Sequence, residues 1–321
     1  MTEAAPKQKW SSESGVPAVG RFHSLIAPVD LTPSSDRVLG RLSLLPLADD
    51  VRVTLLHVVP ASLPPSEQRS AERDANKALA DEARHLRKQI HQKVRIEHLV
   101  KVGAAAKGIA ACATEVKAEL IVMGRGGGRA LRDAFLGSTA ERVVRQARLP
   151  VLVVRLAPRG AYRRPALALD LDPAAHEVVR IMLRALPPPR PRVEVIHAFD
   201  APYHGQIYPS LSADEAVERK DELRSNATHQ LAKLLASALA KADVRQEDGP
   251  FWKFDVRYGS PRSIVEKAMK KAETDLLVLG TRGYSSAVHV LLGTVAGDLL
   301  RAAKCDVLIV PPIRRQRHGA N

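Results

Sequence analysis

The segment Leu120–Thr139, LIVMGRGGGRALRDAFLGST, contains the order of features that decides the fold of this chain. A short apolar run ends at Gly124, another glycine stands three positions on at Gly127, and after nine intervening residues Gly137 and Ser138 open a helical pattern. Such an apolar run is typical of a buried strand in a parallel sheet. The glycines permit positive φ or a close approach of the backbone, and the free amides of a first helical turn can hold an anion.

A near-copy of this segment lies at Leu276–Val295, LLVLGTRGYSSAVHVLLGTV. Its glycines, Gly280, Gly283 and Gly293, each follow their counterparts by 156 positions (280 − 124 = 156). Self-similarity at a fixed spacing is the signature of a repeated structural unit. Two copies therefore predict a duplicated domain of the nucleotide-binding type.

Upstream of the glycine segments the offset between the copies is shorter. Asp30 corresponds to Asp170 and His57 to His197, both at 140 positions (170 − 30 = 140). The second copy therefore has 16 additional residues (156 − 140 = 16) around its second helix. Each half is long enough to bury its own core. We predict a disordered tail at 1–20, a first domain at 21–156, a linker at 157–164, a second domain at 165–313 and a basic tail at 314–321.

Apolar runs alternate with amphipathic segments through both halves, which predicts the same order of strands and helices in each. Strands that alternate with helices imply a parallel sheet with right-handed crossovers and helices on both faces. The predicted fold class is therefore α/β, with two tandem Rossmann-like domains. In such sheets ligands bind beyond the carboxyl ends of the strands, where the strand order reverses.

Polar residues at these strand ends are the candidate ligand contacts, and each also has a purely structural interpretation. Asp30 and Asp170 end the first strand of each half and can bond a base amino group or a ribose hydroxyl, or cap the turn that follows. Ser138 and Thr294 begin helices, where their hydroxyls can cap the helix or bind a phosphate.

The composition favours a solvated basic surface over a nucleic-acid interface. The chain has 49 Lys and Arg against 35 Asp and Glu, a net charge of +14, but the basic residues are spread over predicted helix faces and aromatic residues make up 4%. Charge alone could indicate nucleic acid, yet no nucleic-acid-binding motif accompanies it. We expect no nucleic-acid partner.

The cysteines and the hydropathy pattern exclude further classes. Cys112 and Cys305 form no CxxC pair, which indicates neither a metal site nor a disulfide framework. The first 20 residues lack an apolar signal core, and no apolar run is long enough to span a bilayer. We expect a cytoplasmic protein with no membrane partner.

The glycine segments resemble those of the universal stress protein family, whose nucleotide-binding members share the pattern G-x-x-G, nine residues, G-[ST]. The first-strand phrases PVD and ALD and the fourth-strand phrases AELIVMG and TDLLVLG match as well, and the resemblance covers nearly all of 21–313. It implies a five-stranded parallel sheet of order 3-2-1-4-5 in each half, of the adenine nucleotide alpha hydrolase-like type. It also implies ATP, with or without Mg²⁺, between the ends of strands one and four.

The resemblance assigns the ATP contacts residue by residue, with the first-strand end and the second strand at the adenine and the glycine segments at the ribose and phosphates. In the first half the assigned residues are Pro28, Val29, Asp30, Val58, Met123, Gly124, Arg125, Gly127, Gly137, Ser138 and Thr139. In the second half they are Leu169, Asp170, Ala198, Leu279, Gly280, Gly283, Gly293, Thr294 and Val295.

The two glycine loops differ in charge. The first contains Arg125, Arg129 and Arg132, whereas the second offers Arg282 and His289. We therefore expect the first half to bind phosphates better, although solvation is the commoner fate of a loop arginine. Asp133 of the first loop would either repel phosphates or help to hold Mg²⁺.

The resemblance also implies how the halves assemble. In the family, fifth strands pair across a two-fold axis, so Val151–Val154 and Val307–Val310 are expected to join the halves into an intrachain pseudo-dimer with one continuous sheet. Two independently covered edges, or pairing between chains in a homodimer, are the alternatives, because natural proteins rarely leave such an edge open.

Neither glycine loop contains a lysine, and neither half shows a catalytic carboxylate pair. Phosphoryl transfer needs a positioned nucleophile, a metal clamp and charge stabilisation. We therefore assign no catalytic residue and no protein metal site, and predict an ATP-binding stress-response regulator with slow or no hydrolysis. The alternatives are an ATPase or adenylating transferase, a nucleic-acid-associated protein, and a nucleotide-free scaffold.

Overall fold

A computed structural model describes residues 19–126, 137–199, 213–281 and 292–312. The strands and helices of the first half are β1 (Phe22–Pro28), α1 (Ser34–Ser43), β2 (Leu47–Pro60), α2 (Pro65–Gln89), β3 (Val94–Gly103), α3 (Ala105–Glu115), β4 (Leu120–Gly124), α4 (Ser138–Gln146) and β5 (Val151–Val154). Those of the second half are β6 (Pro165–Ala168), α5 (Ala175–Ala185), β7 (Val193–Phe199), α6 (Ala213–Lys241), a 3₁₀ turn (Gln246–Asp248), β8 (Trp252–Tyr258), α7 (Pro261–Lys271), β9 (Leu276–Gly280), α8 (Thr294–Ala302) and β10 (Asp306–Val310). Within these ranges no helix is both long and apolar enough to cross a membrane.

The strands form one ten-stranded sheet in the order β3-β2-β1-β4-β5-β10-β9-β6-β7-β8. When the strands of each half are numbered 1 to 5 along the chain, their order in the sheet is 3-2-1-4-5 in both halves. Neighbouring strands within each half pair in parallel. The halves meet where β10 pairs with β5 in antiparallel register, Leu308 opposite Leu152. The predicted α/β fold with tandem Rossmann-like domains is confirmed.

Helices cover both faces of the sheet because side chains along each strand alternate between two apolar layers. Leu25 of β1 belongs to the layer that packs against α1, α2, α5 and α6. Its neighbour Ile26 belongs to the layer that packs against α3, α4, α7 and α8. Both side chains are fully buried. The near-continuous apolar strands predicted from the sequence therefore serve two cores at once.

The second strand begins earlier than the sequence predicts. The apolar run at Val51–Val59 predicts a strand that starts at Val51, but β2 begins at Leu47, which is fully buried and pairs with Phe22 of β1. The exposed residues Asp49 and Asp50 interrupt the apolar run, and Asp50 has a φ of 59°. The register with β1 shifts at this point. This irregularity breaks the pattern from which a strand is recognised.

A buried carboxylate, Asp306, ties the two halves together. Its Oδ1 accepts hydrogen bonds from the amides of Arg155 (2.7 Å) and Leu156 (2.9 Å), and its Oδ2 accepts one from the Tyr162 hydroxyl (2.7 Å). The Arg41 Nε lies 3.2 Å from Oδ2, and its guanidinium lies 4.0 Å from the Tyr162 ring centroid. Burial, with the nearby Asp306 charge, raises the pKa of Tyr162 well above its ordinary value, so the phenol remains a donor.

Candidate functional site

The candidate site lies at the carboxyl edge of the sheet, where the first and fourth strands of each half run side by side. In the second half the neighbours are β6 and β9, with Ala168 opposite Leu279. Beyond their ends is a cavity of about 500 Å³. This volume lies within the range of small-molecule pockets, and the position is the switch point at which open α/β sheets bind ligands.

Eight residues assigned in the sequence analysis line this cavity: Leu169, Asp170, Ala198, Leu279, Gly280, Gly293, Thr294 and Val295. The assigned residues Gly127 and Gly283 lie outside the described part of the chain, as do the loop residues Arg129, Arg132, Asp133, Arg282 and His289. Three polar lining residues were not assigned from the sequence: Asp172, His197 and Thr281. The 140-residue offset does match His197 with His57, but a lone histidine in a strand gave no reason to place it at a ligand.

The first-half residues occupy corresponding positions. Pro28 ends β1, and Val29 follows it, 5% exposed. Met123 and Gly124 end β4, while Val58 is a half-buried residue of β2 that packs near Gly108 of α3. Ser138 and Thr139 form the first turn of α4. Since β1 and β4 are parallel neighbours, these strand ends meet at one edge, as in the second half.

Both glycine loops close with the same backbone hydrogen bond. The Gly137 amide donates to the Arg125 carbonyl and the Gly293 amide to the Thr281 carbonyl, each at 2.8 Å. A Cβ atom on Gly137 would lie 2.8 Å from the carbonyl carbon of Gly126 and 2.9 Å from the Arg125 oxygen. A side chain there would clash with the backbone, so the turn itself requires this glycine.

The closing glycines occupy the cap positions of α4 and α8, and no described side chain caps either helix. The first amides of Ser138–Gln146 and Thr294–Ala302 therefore have no intrahelical partner. Together with the helix dipole, such amides attract an anion. Both halves thus place a helix N-terminus with free backbone amides beside the ends of strands one and four.

The first-strand aspartates both cap the turn that follows them. Asp30 Oδ1 accepts bonds from the amide (3.2 Å) and hydroxyl (2.7 Å) of Thr32 and from the Ser35 hydroxyl (3.1 Å). Asp170 Oδ1 accepts one from the Leu171 amide (2.9 Å). The turn-capping interpretation is therefore observed through Oδ1 in each half, and a contact with a ligand would have to share that oxygen or use Oδ2.

Two histidines hold the residue after each first strand. The Nδ1 atoms of His57 and His197 lie 2.9 Å from the carbonyl oxygens of Val29 and Leu169. A carbonyl only accepts, so in the neutral ring the proton is on Nδ1 and Nε2 is an acceptor. His197 is 6% exposed and lines the cavity.

A second carboxylate, Asp172, lies close to Asp170 in the cavity wall. Its Oδ1 accepts a bond from the Ala175 amide (3.1 Å) at the start of α5. Burial raises the pKa of Asp172, and the neighbouring charge of Asp170 acts in the same direction, against the lowering by the backbone amides. The described lining thus combines apolar walls, two carboxylates, a histidine acceptor and a helix N-terminus. Across the described ranges no group of three or more His, Cys, Asp or Glu residues could hold a metal ion.

The sequence model of the universal stress protein family matches this chain twice, at residues 21–155 and 161–311. The chain belongs to the universal stress protein family. This universal stress protein is 30% identical over 104 residues to one from Synechocystis sp., across 32% of its own length and 68% of the relative's. It is 26% identical over 198 residues to one from Mycobacterium tuberculosis, and this alignment spans 60% of this chain but only 62% of the relative's length.

Among solved structures, the universal stress protein resembles another from Archaeoglobus fulgidus with a TM-score of 0.62, 14% identity, and coverage of 90% of this chain and 98% of that one. A protein of unknown function from Pseudomonas aeruginosa gives the same TM-score at 16% identity and covers 91% of this chain and 93% of that one. These likenesses extend over both halves and show the fold. The family membership predicted from the glycine segments is confirmed.

Proposed function

We propose that this universal stress protein binds adenine nucleotide at the carboxyl edges of its two half-sheets and acts as a stress-response regulator. The observation that carries the proposal is the cavity of about 500 Å³ at the β6–β9 switch point, beside the uncapped start of α8. The first half repeats the closing hydrogen bond and the helix end that accompany it. ATP is the proposed ligand of at least the first half.

The cavity walls suit a flat apolar base next to a polar sugar. Leu169, Ala198 and Leu279 contribute apolar surface, and Asp170 stands at the end of the first strand. A base between aliphatic walls buries apolar area, and its amino group needs an acceptor. Asp170 and the Nε2 of His197 are both acceptors in this wall. Their presence supports the assignment of adenine to the part of the cavity at the ends of the first and second strands.

The phosphates are proposed to lie at the starts of α4 and α8. In the first half the loop backbone at Arg125 and Gly126 approaches Gly137 so closely that no Cβ fits between them. The chain there presents amides and an arginine at a helix N-terminus, which is the arrangement that binds phosphate groups. If ATP binds together with Mg²⁺, the metal ion would neutralise part of the phosphate charge. The described residues supply no cluster of protein ligands for Mg²⁺.

Slow or no hydrolysis is part of the proposal, because neither glycine loop contains a lysine to stabilise a transferring phosphoryl group. The proposal also includes the assembly: the β5–β10 pairing makes the domains at 21–156 and 165–313 an intrachain pseudo-dimer that works in the cytoplasm. A homodimer through other edges is the alternative, and light scattering of the purified chain measures which of the two is present.

The test is nucleotide binding by the full chain, measured by native mass spectrometry after gentle purification and by calorimetry with ATP and Mg²⁺. Ala198→Phe should block the second crevice, and Val58→Phe, at the equivalent position (198 − 140 = 58), should block the first. We expect each variant to lose one binding event and the double variant to lose both.

Three results would replace the proposal with one of its rivals. Empty crevices and no heat with ATP would make the protein a nucleotide-free scaffold. Rapid formation of ADP, or of AMP and pyrophosphate, would make it an enzyme. A steeply salt-dependent affinity for DNA or RNA would make it a nucleic-acid-associated protein.

A further inference from the structure

The Thr281 hydroxyl is a buried polar group of a residue that lines the cavity. Thr281 directly follows β9, is 1% exposed and lines the cavity. Its Oγ1 has no hydrogen-bond partner among the described residues. An unpaired buried hydroxyl is costly, and native structures contain few of them. Because Thr281 lines the cavity, a ligand bound there is a candidate partner for this hydroxyl.

Backbone hydrogen bonds on both sides hold Thr281 in place beside the cavity. The Thr281 amide donates to the Val310 carbonyl (3.2 Å), and its carbonyl accepts from the Gly293 amide (2.8 Å). These bonds fix the residue between β10 and the start of α8. The β-branched side chain has few rotamers left at such a position.

The charges in the described wall of this cavity are negative. Asp170 and Asp172 line it, while no lysine or arginine is found among the lining residues in the described ranges. The equivalent of Thr281 in the first half is Arg125 (281 − 156 = 125), whose carbonyl accepts the same closing hydrogen bond. A neutral hydroxyl thus replaces a guanidinium at one and the same backbone position.

We propose that the second crevice binds a nucleoside with a single phosphate in preference to a triphosphate, and that Thr281 is a specificity-determining contact for it. This inference rests on the proposed nucleotide-binding function. The start of α8 offers amides for one phosphate, whereas the two carboxylates in the described wall of the same cavity make its potential less favourable for each additional negative charge. The Thr281 hydroxyl can donate to, or accept from, the sugar or the phosphate ester.

The test measures AMP and ATP binding to the full chain by calorimetry, in wild type and in Ala198→Phe. The event that Ala198→Phe removes belongs to the second crevice. For that event we expect AMP to bind at least about tenfold more tightly than ATP, because repulsion between like charges penalises the triphosphate.

Thr281→Val keeps the shape of the side chain and removes only the hydroxyl. We expect it to weaken AMP binding in the second crevice about 3- to 10-fold, the loss of one hydrogen bond. The same variant should raise the melting temperature of the ligand-free protein by about 1–3 °C, since it removes an unsatisfied buried group. Thr281→Ser restores the hydroxyl and should recover most of the AMP affinity.

Thr54→Val is the matched control. Thr54 lies in β2, is fully buried and also has an unpaired Oγ1, but it is not part of the cavity wall. We expect this variant to raise the melting temperature in the same way and to leave AMP binding unchanged. The pair separates a ligand contact from a merely buried hydroxyl.

Two results would overturn this inference while leaving the proposed function in place. One is ATP binding as tight as or tighter than AMP in the event that Ala198→Phe removes. The other is wild-type AMP affinity in Thr281→Val. If the wild-type chain binds neither nucleotide in either half, the proposed function fails as well, so the two failures are distinguishable.

Discussion

The glycine loops that follow β4 and β9 close with the same backbone hydrogen bond, but the residues at that bond differ. In each loop the amide of the glycine that precedes the next helix donates to the carbonyl of the residue directly after the strand, which is Arg125 in the first half and Thr281 in the second. In the first loop Gly126 has a φ of 67°, and a Cβ on Gly137 would contact backbone atoms at 2.8 Å. On Gly293 the nearest contact within the described residues would be the Thr281 oxygen at 3.3 Å. Duplication thus preserved the hydrogen bond but not the tightness of the turn or the charge beside it.

The largest expected effect concerns a residue that has no equivalent in the first half. Asp306 begins β10, and the matching position before β5 is Pro150 (306 − 156 = 150). Asp306→Ala leaves Arg41, which is 4% exposed, without its counter-ion and the Tyr162 hydroxyl without its acceptor. We expect a loss of roughly 3–5 kcal/mol in the free energy of unfolding, measured by urea denaturation, because breaking a buried pair strands its charge.

Asp298→Ala is the control for this first prediction. Asp298 pairs with Arg301 (2.6 Å), but its side chain is 32% exposed and that of Arg301 is 46% exposed. Exposed ion pairs contribute little to folding stability, so we expect the free energy of unfolding to fall by less than about 1 kcal/mol. Equal losses in the two variants would show that the asymmetric Asp306 cluster does not stabilise the junction between the halves.

The second prediction addresses the closing glycines directly. Gly137→Ala should lower the free energy of unfolding by roughly 1–3 kcal/mol, since the new methyl forces the loop backbone apart. Gly293→Ala should cost less than about 1 kcal/mol, because its methyl needs only a small shift of the Thr281 oxygen. Both variants exchange glycine for alanine at a helix cap, so their difference isolates the steric contact. Thermal melts of the two proteins side by side provide the measurement, and equal melting temperatures would contradict the asymmetry.

The smallest effect compares two carboxylates that precede β4 and β9. Glu119 accepts bonds from the His23 amide (2.7 Å) and from Arg184 of α5 (2.9 Å). Burial raises the pKa of Glu119, but the His23 amide and the Arg184 charge outweigh it and lower the pKa overall. A lowered pKa in the folded state stabilises the protein at neutral pH, and this contribution is lost as the pH falls through the folded-state pKa.

Glu119→Gln should therefore be less stable than wild type at neutral pH, and the difference should shrink on acidification below the ordinary glutamate range. Asp275→Asn changes the equivalent residue (275 − 156 = 119), which accepts the amides of Arg163 (2.7 Å) and Arg164 (3.0 Å). Among the described partners of Asp275 there is no buried arginine side chain from the other half. We therefore expect Asp275→Asn to lower the stability at neutral pH by less than Glu119→Gln does. Urea midpoints as a function of pH measure both, and a constant gap between wild type and Glu119→Gln would refute the linkage.

Local patterns were sufficient to predict most elements of this fold. The apolar runs predicted β1, β4 and β5, because a buried parallel strand leaves a short continuous signal in the sequence. The start of β2 was missed, since Asp49 and Asp50 interrupt its apolar run at a bend. The irregularity depends on pairing with β1, which the local pattern does not report.

The candidate site was predictable only in part. Glycines, the serine and threonine at the helix starts and the strand-end aspartates have a spacing that can be read from the chain. Thr281 has no such signal: what distinguishes it is an unpaired hydroxyl at a cavity wall. His197 and Asp172 are likewise ordinary residues in the sequence, and only their burial beside Leu169 and Asp170 places them at the site.

The sequence by itself determined the duplication, the α/β class and the positions of the glycine loops, because each depends on periodicity and spacing along the chain. The tertiary structure decided which groups are buried together, and therefore which lack partners. Asp306 and its hydrogen-bond donors illustrate this, since Arg155 and Asp306 are 151 residues apart. Burial and hydrogen-bond satisfaction depend on neighbours brought together by folding, and a linear pattern contains no information about the distance between such residues.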